Sequence, residues 1–245
     1  MQPKEPEKPL PLRSVLTKPV VVTIVNHAML ALLNVVAVTY IPLVWSTPVE
    51  FGGLDLSPAS IGLRLSVYGG MNGVFQFAFF SHFLRCFGPR NVFISTIVAC
   101  AVIYILFPCE NLAIRVDNSS TVVLWPLVVL QLSALCLSEM GYGKSLRHST
   151  TCGLMLWGPA ATMYLYISSA VPNKRSLGAA NGLSQVATSI QSAVGPAAAD
   201  WLYAFSLTHN VLGGNFAYVV LVGVACVGLG VSTRLPRNTW ARHKE

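Results

Sequence analysis

Glu139 is the residue whose type and setting best suit it to chemistry. It lies late in an apolar run, Thr121 to about Tyr142, just before Met140-Gly141-Tyr142-Gly143. A carboxylate there either rests at a membrane interface or serves a proton or a substrate inside a helix bundle. Other polar side chains sit within apolar runs in the same way. Asn26, His27, Asn34 and Tyr40 share one run, Asn72 and Gln76 a second, and Gln131 lies in the run of Glu139. Asn181, Gln185, Gln191 and Asp200 share another. Asn72 and Gln76 are four residues apart and so fall on one helical face. Polar groups in hydrocarbon face protein or water rather than lipid. Two roles fit them: interhelical hydrogen bonds of about 0.6 kcal/mol each, or the lining of a common path. The path reading selects Asn34, Gln76, Gln131, Asn181 and Gln185. Asp200 precedes Trp201 and Tyr203, which places it at a helix end within an interfacial aromatic belt.

No catalytic motif accompanies them. The chain has no GxSxG, HExxH, Walker or dinucleotide fingerprint. Gly141-Tyr142-Gly143-Lys144-Ser145 copies only the tail of a phosphate loop. The six cysteines have no CxxC spacing and mostly lie in or beside apolar runs, where a thiol acts as a small hydrophobe. An enzyme, a metal site and a cofactor are therefore not expected. The net charge of +7 does not signal nucleic acid, because the basic residues sit in loops and at the chain ends.

The elements that position these residues are membrane helices. The chain is 53% hydrophobic and only 10% charged, with a mean hydropathy of +0.60. A soluble domain carries about 25% charged residues, and a helix spans a bilayer with roughly 20 apolar ones. Six spans are expected: residues 19–44, 60–83, 91–107, 121–142, 177–207 and 216–231. Arg64, near the start of the second, is read as snorkelling to the surface. Residues 151–171 are apolar enough to span, but Gly158-Pro159 interrupt them. A full seventh span would put Lys174 and Arg175 on the acidic side, so this stretch reads as re-entrant, kinked or interfacial. Basic loops alternate with acidic or neutral ones, which places both termini and the Arg85–Arg90 loop in the cytoplasm. Asn118-Ser119-Ser120 is a glycosylation sequon on the opposite side. Residues 1–18 read as a disordered cytoplasmic lead-in, 19–235 as the bundle and 236–245 as a cytoplasmic tail. The fold class is all-α, a polytopic membrane helix bundle in a plasma or vacuolar membrane. Its partners are the lipid bilayer and a small molecule, not nucleic acid.

Small residues mark two helices: Gly69, Gly70 and Gly73 in the second, and Gly178, Ala179, Gly182, Ala187 and Gly195 in the fifth. They are expected to allow close helix packing. Gly195-Pro196 also permits bending, because proline removes a backbone donor.

The motif Gly178-Ala179-Ala180-Asn181-Gly182-Leu183-Ser184-Gln185, followed by Ser189 and Gly195-Pro196, resembles the penultimate helix of fungal major facilitator superfamily transporters. The likeness extends to the drug:proton antiporter-like branch with the tetracycline-resistance and zinc-induced-facilitator types. Pro42-Leu43, Ser46-Thr47-Pro48, Gly52-Gly53-Leu54 and Ile61-Gly62 resemble that branch's seventh helix and the loop after it. Phe87-Gly88-Pro89-Arg90 resembles the loop between helices eight and nine, and Pro172-Asn173-Lys174-Arg175 also fits. The resemblance implies helices seven to twelve of a twelve-helix fold, hence half of a secondary transporter for a small organic or drug-like solute, coupled to protons when whole. It implies that transport needs an N-terminal half or a second copy. A truncated, non-transporting membrane product is the alternative. The sequence departs from the family where Gln191 replaces a frequent arginine and where the Ser81–Arg90 loop has no acidic residue. The stretch 144–160 is foreign in composition and reads as an insertion or a retained intron, since codons for Gly143-Lys144-Ser145 can contain a splice donor.

Overall fold

The computed structural model describes residues 16–116, 121–140, 166–167, 170–171 and 176–233. The expected lead-in up to residue 15, the sequon at Asn118, the insertion at 144–160, most of the 151–171 stretch and the tail 236–245 lie outside the described residues.

Helix α1 is Lys18–Ser46, α2 is Pro58–Val116, α3 is Thr121–Glu139, α4 is Leu177–Thr208 and α5 is Phe216–Ser232. Pro19 falls in the first turn of α1, where a missing N–H costs nothing. The α1–α2 connection folds back through the 3-10 turn Val49–Phe51. There Gly53 has no room for a side chain: a Cβ would lie 2.0 Å from the Thr47 carbonyl oxygen.

Separate second and third helices joined by a loop at Arg85–Arg90 were expected. The two helices are present, and their junction is a single residue rather than a longer loop: Gly88, with φ 74° and ψ 159°, breaks the run Pro58–Val116. Glycine adopts that conformation without a Cβ penalty, and Pro89 then opens the next helix. The two limbs are α2a, residues 58–87, and α2b, residues 89–116. The second limb runs past the expected end at Phe107, so Glu110 and Arg115 belong to a helix and not to a loop.

The six helical segments alternate in direction. One end of the bundle, the Gly88 end, gathers the start of α1, the α2 break, the close of α3, the start of α4 and the end of α5. Val20 and Ile24 pack there with Ala180, Phe80 and Val92 with Met140, and Arg90 Nη2 donates to the Thr233 carbonyl at 2.9 Å. The other, the Trp45 end, gathers the end of α1, the start of α2a, the end of α2b and the start of α3. There Asn111 donates to the Val49 and Gly53 carbonyls at 3.2 and 2.9 Å. Met140 and Ser176 thus both lie at the Gly88 end.

α1 is the central helix and touches every other one. An aromatic knot fixes its second half. Tyr40 lies against Phe107, Tyr203 and Tyr218, with ring centroids 6.3, 5.6 and 6.4 Å away. Tyr203 was expected in an interfacial belt but is buried, while its neighbour Trp201 is exposed. On the helical wheel Tyr203 shares the α1-facing side of α4 with Ala199, and Trp201 points away. Two helices among the described residues are long and apolar enough to cross a membrane, Lys18–Ser46 and His82–Arg115. Val123–Glu139 and Phe216–Ser232 are apolar but shorter. Large apolar side chains such as Leu63, Met71, Phe77 and Ile190 are more than half exposed. That surface suits lipid or another protein segment and not water. The described residues form an all-α helical bundle with two membrane-length apolar helices, consistent with part of a polytopic membrane fold.

Candidate polar path and its neighbours

The polar side chains converge where α1, α2 and α3 meet. Asn34 is buried on α1, and its Nδ2 donates to Ser138 Oγ on α3 at 3.3 Å. Ser138 in turn donates to the Leu135 carbonyl at 2.8 Å. The Asn34 amide also faces the Glu139 carboxylate. From α2a, Gln76 Nε2 donates to the Cys136 carbonyl at 3.3 Å and lies 3.5 Å from Asn72 Oδ1. Tyr68, two turns before Gln76, faces Glu139. A carboxylate, two amides, a hydroxyl and a phenol thus meet within one bundle segment. Such a set can bind a polar or cationic group and can pass a proton.

The positions follow from helical spacing. Tyr68, Asn72 and Gln76 recur every four residues and form one stripe of α2a. Gln131 and Ser138 are seven apart and share a face of α3. Gln131 is fully buried, and among the described residues its amide has no hydrogen-bond partner. A buried amide in that state costs free energy until water or a ligand completes it.

Asn34, Gln76 and Glu139 are therefore brought together. Asn181 and Gln185 are not in this cluster. They are half-buried on α4, on either side of Ser184, whose Oγ lies 2.7 Å from His27 Nδ1. α4 packs mainly on α1, so α1 carries both polar contacts, His27 toward α4 and Asn34 toward α3.

The small residues divide into two groups. Gly69, Gly73, Gly178 and Gly182 face open space, with no atom within 4 Å of an added Cβ. They make no helix contact among the described residues. Gly195 does: its added Cβ would come 2.7 Å from Leu32 Cδ1, which lets α4 approach α1 closely. α4 continues as a helix through Pro196.

Sequence reasoning did not bring Arg64 and Glu110 together. Arg64 is half-buried. Its guanidinium lies 4.8 Å from the Trp125 ring centroid and 5.8 Å from that of Trp45. Glu110 is fully buried. The two are distant in sequence and sit on opposite limbs of α2, so no local pattern joins them. A cavity of about 340 Å³ lies at the Gly88 break, lined by Phe87, Pro89, Arg90 and Asn91. Another of about 250 Å³ at the Trp45 end is lined by Asn111, Arg115, Gly213 and Tyr218. Neither touches the Asn34–Glu139 cluster.

With this geometry the chain is similar to transporters. A 207-residue alignment to the major facilitator-type transporter psiT2 of Psilocybe cubensis is 29% identical and covers 79% of this chain. The psiT2 of Psilocybe cyanescens is 27% identical over 208 residues, with the same coverage. The protein ZINC INDUCED FACILITATOR-LIKE 1 of Arabidopsis thaliana is 26% identical over 189 residues and 77% of this chain. The chain is a homologue of major-facilitator-type transporters. It spans about a third of the length of these relatives, 34–35%. No family model matches it, and no solved structure does. A transporter-like membrane protein is what homology and composition support. Among the described residues no group of His, Cys, Asp or Glu could hold a metal ion.

Proposed function

We propose that this chain supplies the C-terminal six-helix half of a secondary active transporter for a small organic or drug-like solute, coupled to protons in the whole assembly. The observation that carries this reading is the cluster of Asn34, Gln76, Ser138 and Glu139 inside an apolar bundle, in a chain homologous to transporters. Intramembrane ionisable residues mark solute or proton paths by default. Asn34, Gln76 and Gln131 would line the solute path, Glu139 would carry the proton, and Asn181 and Gln185 would flank it from α4. The drug:proton antiporter-like branch is the finer placement, supported by Gly178 to Gln185 and Gly195-Pro196.

Transporters of this class hold substrate near the midplane between two repeats and rock one against the other. This bundle would therefore work with a complementary helical half. The open glycines of α2a and α4 suit such a neighbour, since small residues admit close backbone approach. The basic Gly88 end, with Lys18, Arg85 and Arg90, would be cytoplasmic.

Flux in proteoliposomes tests this reading, with ethidium as a drug-like probe. The chain alone should move little ethidium. The chain joined behind the N-terminal half of the Psilocybe cubensis relative should move it when a proton gradient is imposed, in the direction opposite to proton flow. Equal flux by the chain alone and by the fusion would overturn the two-half reading.

A further inference from the structure

At the Trp45 end lies a second ionisable cluster, apart from the proposed path. Glu110 on α2b is fully buried, and among the described residues neither carboxylate oxygen has a hydrogen-bond partner. Three groups face it. The Trp45 indole N–H, at the last turn of α1, points toward the carboxylate at a geometry too loose for a formed hydrogen bond. The Arg64 guanidinium of α2a acts on it electrostatically, yet lies on the rings of Trp45 and Trp125, with Nη1 unpartnered. Tyr218 of α5, packed against Tyr203 and Tyr40, interacts with it electrostatically. Asp200 on α4 acts electrostatically on Tyr40 of that aromatic knot. Arg115, on the next turns of α2b, is turned away and donates to the Val49 and Glu50 carbonyls.

An ionised carboxylate without partners is costly in such a place, and a charge pair there is stable only when each charge is also hydrogen-bonded. The observed arrangement makes no such pair. The arginine instead takes the alternative favoured by a weakly hydrated planar cation, the faces of two indoles.

We propose that Glu110 is a proton-binding site and that Arg64 is its two-position partner. With the proton on Glu110, the carboxyl is neutral and Arg64 rests on Trp45 and Trp125. When the O–H bond breaks, the proton passes to water along the half-buried Arg64 side chain, at the Trp45 end. The guanidinium then leaves the indoles and pairs with the carboxylate. The exchange involves the ends of α1, α2a, α2b and α3 at once. Proton occupancy at Glu110 thus sets how tightly the two limbs of α2 are tied at that end. This assignment does not rest on the transport reading.

Tryptophan fluorescence of the purified full chain in nanodiscs, titrated with pH, tests it. A cation over an indole changes its emission, so the wild type should show a one-proton transition carried by Trp45 and Trp125. The transition should vanish in Glu110→Gln and in the Trp45→Phe/Trp125→Phe double variant, and shift in Arg64→Met. Infrared difference spectra of the unmodified chain across the same range should show loss of a buried carboxylic-acid C=O band, which requires no variant to fold. Persistence of the fluorescence transition in folded Glu110→Gln overturns the proposal, as does a wild type with no transition in either spectrum.

Discussion

Tyr40 of α1 donates its hydroxyl to the backbone carbonyl of Ala199 on α4, at 2.5 Å. This bond ties two parallel helices together at the aromatic knot, in an interior where a phenol hydroxyl left unpaired is costly. Tyr40→Phe keeps the ring contacts and removes only the bond, so it should cost about 1 kcal/mol. Tyr40→Ala also empties the knot and should cost about 3–5 kcal/mol, the range for aromatic truncation in a core. Thermal unfolding in detergent should rank wild type, Phe and Ala in that order.

Gly195 and Gly182 separate packing within the chain from packing beyond it. Gly195→Val drives a side chain into Leu32 and should destabilise the bundle by about 1–3 kcal/mol, an overpacking cost. Gly182→Leu meets open space and should leave the melting temperature of the isolated chain unchanged. In a transporting assembly the order should invert in one respect. Gly182→Leu should cut flux severely without lowering stability, because the face it occupies is proposed to meet the other half.

The alternation of helix directions yields a labelling prediction. Cys86 is exposed near the Gly88 end, and Arg115 is exposed at the Trp45 end. A membrane-impermeant maleimide should reach native Cys86 only from the cytoplasmic side. In a Cys86→Ser background it should reach Arg115→Cys only from the opposite side. Labelling of both from one side would contradict the alternation. Arg175→Cys should label from the Cys86 side, since Met140 and Ser176 share the Gly88 end.

The helices were legible in the sequence because lipid imposes length and apolarity that few soluble segments share. The cluster around Glu139 was legible in part, since Asn34, Gln76 and Glu139 each stand out against apolar neighbours. Their meeting was not, because it depends on how three helices rotate about their axes. The two limbs of α2 were legible as separate helices, and Phe87-Gly88-Pro89-Arg90 marked their junction; what composition did not show is that one residue with positive φ, Gly88, suffices for the break. Glu110 was misread because Pro108, Glu110 and Asn111 imitate a helix end and its loop. Burial there comes from Trp45, Arg64 and Tyr218, all far away in the chain. The open glycines show the converse. Their spacing announced close packing, but among the described residues no atom lies within 4 Å of a Cβ added at Gly69, Gly73, Gly178 or Gly182.

The central claim is that the Asn34–Ser138–Glu139 cluster carries solute and proton together. Its most direct test is proton movement in proteoliposomes holding the two-half fusion, read by trapped pyranine when ethidium is added. The account predicts that wild type moves protons with ethidium and that Glu139→Gln uncouples the two. It predicts that Asn34→Ala lowers both fluxes. Ethidium-driven proton movement that persists unchanged in a folded Glu139→Gln fusion would contradict it.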